Sequence, residues 1–254
     1  MKSKSRERLQ TEDIKDASAI FYRHIAAYNF VMSYTSDKTI LEVGCSDGYG
    51  TSLLAKKATK AHGIDIDKEA ITSAKRKYAN KNLSFETVDV LKINAGKKYD
   101  VIISFQVIEH IKEVDAYLLK LRSLLNNRGM IILSTPNRML RLSKNQKPWN
   151  KFHITEYDSS ALQKLLTGHF SKVVIYGMHA SKPVLAQEIK RLKMRRFIAR
   201  FDIFDLYNKI PRELTDKAVF LRKKKKNMPV SASDFWVDKK NLNQSLDLIA
   251  LCKK

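Results

Sequence analysis

From Thr39 to Ser134, short β-branched runs alternate with amphipathic stretches, and this alternation constrains the fold more than any other property of the chain. The strand-like runs fall at 39–43, 61–66, 83–88, 99–105 and 130–134, with helical stretches at 49–59, 68–79 and 114–125. Strands separated by helices cannot close as hairpins. They require crossover connections, hence a parallel sheet with helices on its faces. Residues 126–129 read as the helix cap and turn into the fifth strand. Ahead of this array, Ile20, Phe21, Ile25, Tyr28, Val31 and Met32 recur at helical spacing and predict one helix over 16–34. After Pro136 the pattern loosens: a basic loop at 137–151, a helix at 159–166 and a sixth strand at 172–176. A basic helical region follows at 183–210, then a charge run at 222–226, an irregular stretch at 231–240 and a last strand at 246–251. The expected organisation is a helical cap at 1–35, a core at 36–179, a basic helical insertion at 180–243, and the last core strand at 244–254.

A chain of 254 residues, 44% of them hydrophobic, can bury one sizeable α/β core. Its two cysteines, Cys45 and Cys252, show no paired spacing, which fits a reducing compartment and no disulfide framework. The first residues lack the apolar core of a signal peptide, and no run of about 18 apolar residues exists. A cytoplasmic location is therefore expected. The formal charge of +22 points to an anionic partner. It is unevenly spread: residues 188–226 hold fourteen Lys/Arg against five Asp/Glu, a local excess of +9.

The first strand runs into Glu42-Val43-Gly44-Cys45-Ser46-Asp47-Gly48-Tyr49-Gly50. Glycines at a strand-to-helix turn allow a tight bend and close approach of a ligand, at the strand ends where open α/β sheets bind their ligands. A dinucleotide loop would need G-x-G-x-x-G. Counted from Gly44, the second position is Ser46 and the third Tyr49, so the pattern fails. A G-x-x-x-x-G-K-[ST] phosphate loop is also absent from the sequence. Glu42 and Asp47 would repel a pyrophosphate and favour a cationic or uncharged ligand. Two further strand ends carry acids. Asp65 lies about 20 residues past the loop, the spacing of an acid that holds ribose hydroxyls. Asp89 follows the third strand, where a carboxylate could accept from an adenine amino group.

These segments together resemble the motifs of class I S-adenosylmethionine-dependent methyltransferases, in particular the group with the ubiquinone-biosynthesis O-methyltransferases and many small-molecule enzymes. ILEVGCSDGYG resembles their first motif, HGIDIDKEAI the ribose strand end and FETVDVL the adenine segment. YDVIISFQVIEHI and LLNNRGMIILSTPNR resemble the fourth and fifth strands. The resemblance runs from about Ser36 to Tyr176. It implies a Rossmann-like, seven-stranded, mostly parallel sheet with an antiparallel last strand, and S-adenosyl-L-methionine as cofactor. By that resemblance Glu42, Gly44, Ser46 and Gly48 line the methionine part, Asp65 and Ile66 the ribose, Asp89 and Val90 the adenine, and Phe105 and Gln106 the opposite side. Ser46 departs from the glycine common in the family.

Methyl transfer from a sulfonium requires alignment of a nucleophile and exclusion of water, and a hydroxyl acceptor also gains from a base near neutral pKa. His110, after the fourth strand, and His153, in Phe152-His153-Ile154-Thr155-Glu156-Tyr157, are the candidate catalytic residues. In related enzymes a Glu-x-x-Glu-His arrangement holds a divalent metal. Here its first position is Gln106, and no metal is expected. Ser104-Phe105-Gln106-Val107 stands where [ND]-P-P-[YF] would mark amine methylation of DNA. The expected acceptor is a small molecule bearing oxygen or nitrogen: a sugar or glycan precursor, a lipid-linked intermediate or a quinone-like phenol. An RNA methyltransferase and a non-catalytic cofactor-binding protein are the alternatives. In 185–210, apolar residues at helical spacing are interleaved with Lys and Arg, a composition that fits an anionic membrane surface, a lid over the acceptor, or a helix packed on the core. Nucleic acid is the lesser partner, since no RNA-binding module is visible.

Overall fold

The computed structural model describes residues 19–94, 96–201 and 229–254. The charge run at 222–226 and the first residues of the expected N-terminal helix lie outside them.

The central array forms as its alternation requires. Strands β1 (Thr39–Val43), β2 (Lys60–Asp65), β3 (Leu83–Thr87), β4 (Tyr99–Phe105) and β5 (Leu125–Pro136) are joined in part through helices α2 (Tyr49–Ala55), α3 (Lys68–Lys77) and α4 (Val114–Ser123). Helix α1 (Ala19–Thr35) precedes them. Helices α5 (Arg138–Arg141) and α6 (Ser159–Thr167), strand β6 (Lys172–Ala180), helix α7 (Lys182–Phe201) and strands β7 (Phe235–Asp238) and β8 (Asp247–Lys253) follow. The sheet order is β3-β2-β1-β4-β5-β8-β6-β7. From β3 to β5 all pairs are parallel, and β8 runs antiparallel between β5 and β6. The chain winds outward from β1 to β3, then returns to β4 on the other side of β1. The strand order reverses there, which opens a crevice at the carboxyl ends of β1 and β4.

Side-chain alternation along β4 shows how the sheet is covered. Val101, Ile103 and Phe105 join the core with α1, α2 and α7, beside Val31, Leu54 and Val184. Ile102 points the other way, into the core of Leu118 and Leu121 from α4 and Leu162 from α6. Both faces are thus buried, which is why β4 reads as a continuous apolar run.

Two expectations change. Residues 126–129 are part of β5 rather than a turn. Pairing jumps from Tyr99–Leu125 to Val101–Met130, and the extra residues bulge opposite Asp100, whose carboxylate accepts from Asn126 Nδ2 at 2.7 Å. The stretch 231–240, expected to be irregular, contains β7, an eighth strand on the edge beside β6. Only Phe235 of its four residues is buried, so no alternating pattern announced it. The region 180–243 therefore supplies a strand to the main sheet as well as a helix.

Candidate functional site

The loop after β1 is held by its backbone. The amides of Gly44 and Cys45 donate to the Ile64 carbonyl at 2.8 and 3.1 Å, tying the end of β1 to the end of β2. Gly44 takes φ +75°, and a Cβ there would lie 2.5 Å from Val107 Cγ2. Glycine is thus required both by the turn and by the close pass of the segment after β4. Ser46 also sits in the left-handed region, at φ 49°. This is where the family's glycine would stand, and serine holds the conformation at a steric cost of roughly 1–2 kcal/mol. Its amide donates to Asp65 Oδ2 at 3.0 Å, an anchor that helps offset the cost.

Glu42 and Asp47 lie beneath the loop. Both oxygens of Glu42 are taken: Oε1 accepts from the Tyr28 hydroxyl and Oε2 from that of Thr51, each at 2.5 Å. Burial pushes this carboxyl up to about 7, against the two hydrogen bonds and with help from the negative Asp65 and Asp47. Asp47, also buried, pairs with Lys77 at 3.2 Å. The acids facing the crevice are therefore those of the second and third strand ends.

Asp65 closes β2. Besides the Ser46 amide it accepts from Asp67 N at 2.9 Å, through Oδ1. A carboxylate has about four acceptor sites, enough to hold this turn and to receive a diol. The next side chain, Ile66, is 70% exposed. An exposed aliphatic side chain thus stands beside a buried carboxylate at a strand end. Asp89 caps the turn Val90–Lys92 through Leu91 N at 3.0 Å, with Val90 buried and Leu91 44% exposed. Leu91, not among the expected site residues, adds a second exposed aliphatic side chain. Across the crevice, Phe105 packs on the Tyr28 ring at 5.2 Å. Gln106 has φ 56° and donates from Nε2 to Ser134 Oγ at 3.1 Å. The expected cofactor residues lie at or just past the carboxyl ends of β1, β2, β3 and β4, and the Glu42 carboxylate among them is buried.

At the ends of β4 and β5, residues 43 positions apart meet. The rings of His110 and His153 stand edge to face with centroids 4.8 Å apart. His110 Nδ1 lies 2.8 Å from the Phe152 carbonyl, and His153 Nδ1 lies 2.7 Å from Glu156 Oε1. Burial opposes ionisation of Glu156, but hydrogen bonds and charge from His153 and Arg141 hold its carboxyl below the usual range. Between the histidines and β5 lies Glu109, fully buried. Its Oε2 accepts from Thr135 Oγ1 at 3.1 Å, and burial pushes the carboxyl up to about 7. The Glu109 carbonyl also accepts from Ile154 N at 2.7 Å, clamping the 149–156 loop onto the end of β4.

Asp247 and Trp149, at this rim, were not among the expected site residues. Asp247, at the start of β8, is buried and pairs with Arg23 of α1 at 3.0 Å. Burial raises its carboxyl, against the pull of the Arg23 and Arg141 charges. Trp149 is flanked by Arg141 at 4.3 Å and Arg195 at 5.1 Å, joining the loop to α7.

A parallel sheet reversing at β1/β4, with glycine loop and acidic strand ends in sequence order, defines the class I methyltransferase type of fold. The family model described as a methyltransferase domain matches residues 34–172, more than half of the chain. The chain belongs to that family, among the class I S-adenosylmethionine-dependent methyltransferases. A probable S-adenosylmethionine-dependent methyltransferase of Mycolicibacterium smegmatis is 29% identical over 146 residues, 58% of this chain and 56% of its own length. The ubiquinone biosynthesis O-methyltransferase of Bartonella tribocorum is 30% identical over 103 residues, 39% of this chain and 41% of its own. The chain spans between 41% and 66% of the length of the curated relatives compared with it. The plantazolicin methyltransferase BpumL, solved with SAH, has the same fold: TM-score 0.56 at 20% identity, covering 96% of this chain and 88% of that one.

Proposed function

We propose that the crevice binds S-adenosylmethionine and that the chain transfers its methyl group to an oxygen or nitrogen of a small molecule. The observation that carries this reading is Asp65: a buried carboxylate at a strand end, anchored by the loop amide of Ser46 and followed by the bare Ile66. Asp65 would hold the ribose diol, and Ile66 and Leu91 would flank the adenine near Asp89. Gly44, Ser46 and Gly48 would let the methionine part lie against the backbone, with Phe105 and Gln106 opposite. When bound, the sulfonium supplies an already activated methyl group. The residues of this chain then orient the acceptor and exclude water.

The acceptor would enter between the loop 149–156, α1 and α7. A hydrogen bond to the Phe152 carbonyl requires a proton on Nδ1 of His110. The ionised Glu156 favours the same tautomer in His153. The lone pair of each neutral ring then sits on Nε2, which is thus the basic atom of each imidazole. On the outer side of α7, Met194 and Phe197 are exposed among Lys190 and Lys193, Met139 is exposed on α5, and Phe152 and Ile154 are exposed on the loop that follows. This favours an anionic lipid surface as the place where the protein meets its acceptor.

Calorimetry with S-adenosylmethionine tests the first part. Asp65→Ala should weaken binding by more than about tenfold, the loss of one or two charge-assisted hydrogen bonds. Equal affinity in the variant would overturn the assignment. Radiolabelled methyl transfer into a metabolite extract separates an enzyme from a cofactor-binding protein without turnover.

A further inference from the structure

We propose that Glu109, His110 and His153 form a binding site for one divalent transition-metal ion. Each offers one ligand atom, and the three atoms lie within 4.8 Å of one another. Ions of this kind hold imidazole nitrogen and carboxylate oxygen at roughly 2.0–2.2 Å, so ligand pairs stand about 3.3 Å apart in a tetrahedral site. Closing the cluster to that size requires the ligand atoms to draw together by at most about 1.5 Å.

Two independent features show a built site. The first is an orphan: Glu109 Oε1 is buried and has no hydrogen-bond partner, while Oε2 is held by Thr135. A buried carboxylate oxygen without a donor costs free energy, and an ion bound there removes that cost. The second is the outer layer. The Nδ1 contacts of both histidines, to the Phe152 carbonyl and to Glu156, are those that steer imidazoles in metal sites. They fix the orientations of the two rings. Glu156 is in turn oriented by Arg141, whose Nε is 3.0 Å from both of its oxygens. Two imidazoles and one carboxylate suit zinc, manganese, iron or cobalt better than magnesium or calcium, which prefer all-oxygen shells.

The expectation of no metal rested on Gln106, which turns to Ser134. The third ligand comes instead from His153, far along the sequence. Three protein ligands leave positions for oxygen atoms of a second molecule. Resting on the methyl-transfer reading, the acceptor that fits is one whose hydroxyl or carboxylate oxygens can complete the shell.

The experiment uses the full chain, stripped with a chelator and titrated with Co2+, whose visible absorption reports nitrogen ligation and coordination number. One equivalent should bind with a new visible band. Glu109→Gln and His153→Ala should each lose the band or weaken binding more than about tenfold, and Glu156→Gln should weaken it by about tenfold as an outer-layer partner. Circular dichroism melts and calorimetry with S-adenosylmethionine show that the variants fold and keep the cofactor crevice. Asp65→Ala should bind Co2+ as the wild type does, so failure of the metal site and failure of the cofactor reading are told apart. Absence of stoichiometric binding in the wild type, or binding unchanged in both ligand variants, overturns the proposal.

Discussion

At the scale of single residues, Glu42 shows what a motif conveys and what it hides. That an acid ends β1 is plain from the sequence. That its carboxylate is enclosed by Tyr28, fourteen positions earlier on α1, and by Thr51 on α2 is not, because those contacts depend on how two helices dock. The enclosure has a consequence for pH. A carboxyl whose folded value is about 7, against an ordinary 4.5, binds its proton more tightly in the folded state. Its destabilising effect is absent below about pH 4.5, grows as pH rises through that window, and is complete above 7. A shift of this size corresponds to at most about 3 kcal/mol. Glu42→Gln removes the titration. Its stability relative to wild type, from urea unfolding, should therefore rise by up to about 3 kcal/mol between pH 4.5 and 7.5. A difference that stays constant across this range would show that Glu42 is ionised at no cost. The place of Asp65 at the end of β2 was legible, since its spacing from the loop follows from the length of one crossover. His153 was legible only as a candidate, and its meeting with His110 had to come from tertiary structure.

At the scale of elements, the strands were read well because burial on both faces makes them continuous apolar runs. The departures occur where that logic lapses. Strand β7 is a short edge strand with one buried residue, and the bulge in β5 is polar because Asn126 answers Asp100. Helix α7 falls between these cases. Apolar spacing at 185, 189 and 192 was visible, but the buried face runs through Val184, Glu188 and Leu192, with Glu188 held by Arg191 at 2.6 Å. A charged residue on the inner face blurs the helical period. Leu192→Ala should cost about 2–4 kcal/mol, as for other buried leucines. Phe197→Ala, on the 67% exposed side chain, should change stability by less than about 0.5 kcal/mol. Thermal melts of the two variants measure this directly. Equal effects would mean that α7 does not pack through Val184 and Leu192.

At the scale of the whole molecule, the charge of +22 is informative only together with where apolar side chains are exposed. Among the described residues no helix is long and apolar enough to cross a membrane. Yet Met194 and Phe197 on α7, with Met139, Phe152 and Ile154 nearby, are exposed among Lys190, Lys193 and Lys151. Arg195 stacked on Trp149 and Arg196 bonded to the Leu140 carbonyl at 3.0 Å make α7 and these loops one surface. Charge alone would serve any polyanion, whereas exposed methionine and phenylalanine favour an acyl boundary. The two uses separate by experiment. Vesicles containing phosphatidylglycerol should sediment the protein and phosphatidylcholine vesicles should not, with binding weakened by salt at about 1 kcal/mol per engaged basic residue. Phe197→Glu should reduce vesicle binding by about tenfold or more, since it removes the burial of a phenyl ring worth about 1.5–3 kcal/mol. The same variant should leave single-stranded RNA retention nearly unchanged, because one added carboxylate among so many cations alters the electrostatic attraction little. If Phe197→Glu leaves vesicle binding intact while RNA competes the vesicles away, the face is electrostatic only. The acceptor would then be sought among nucleic acids rather than lipids.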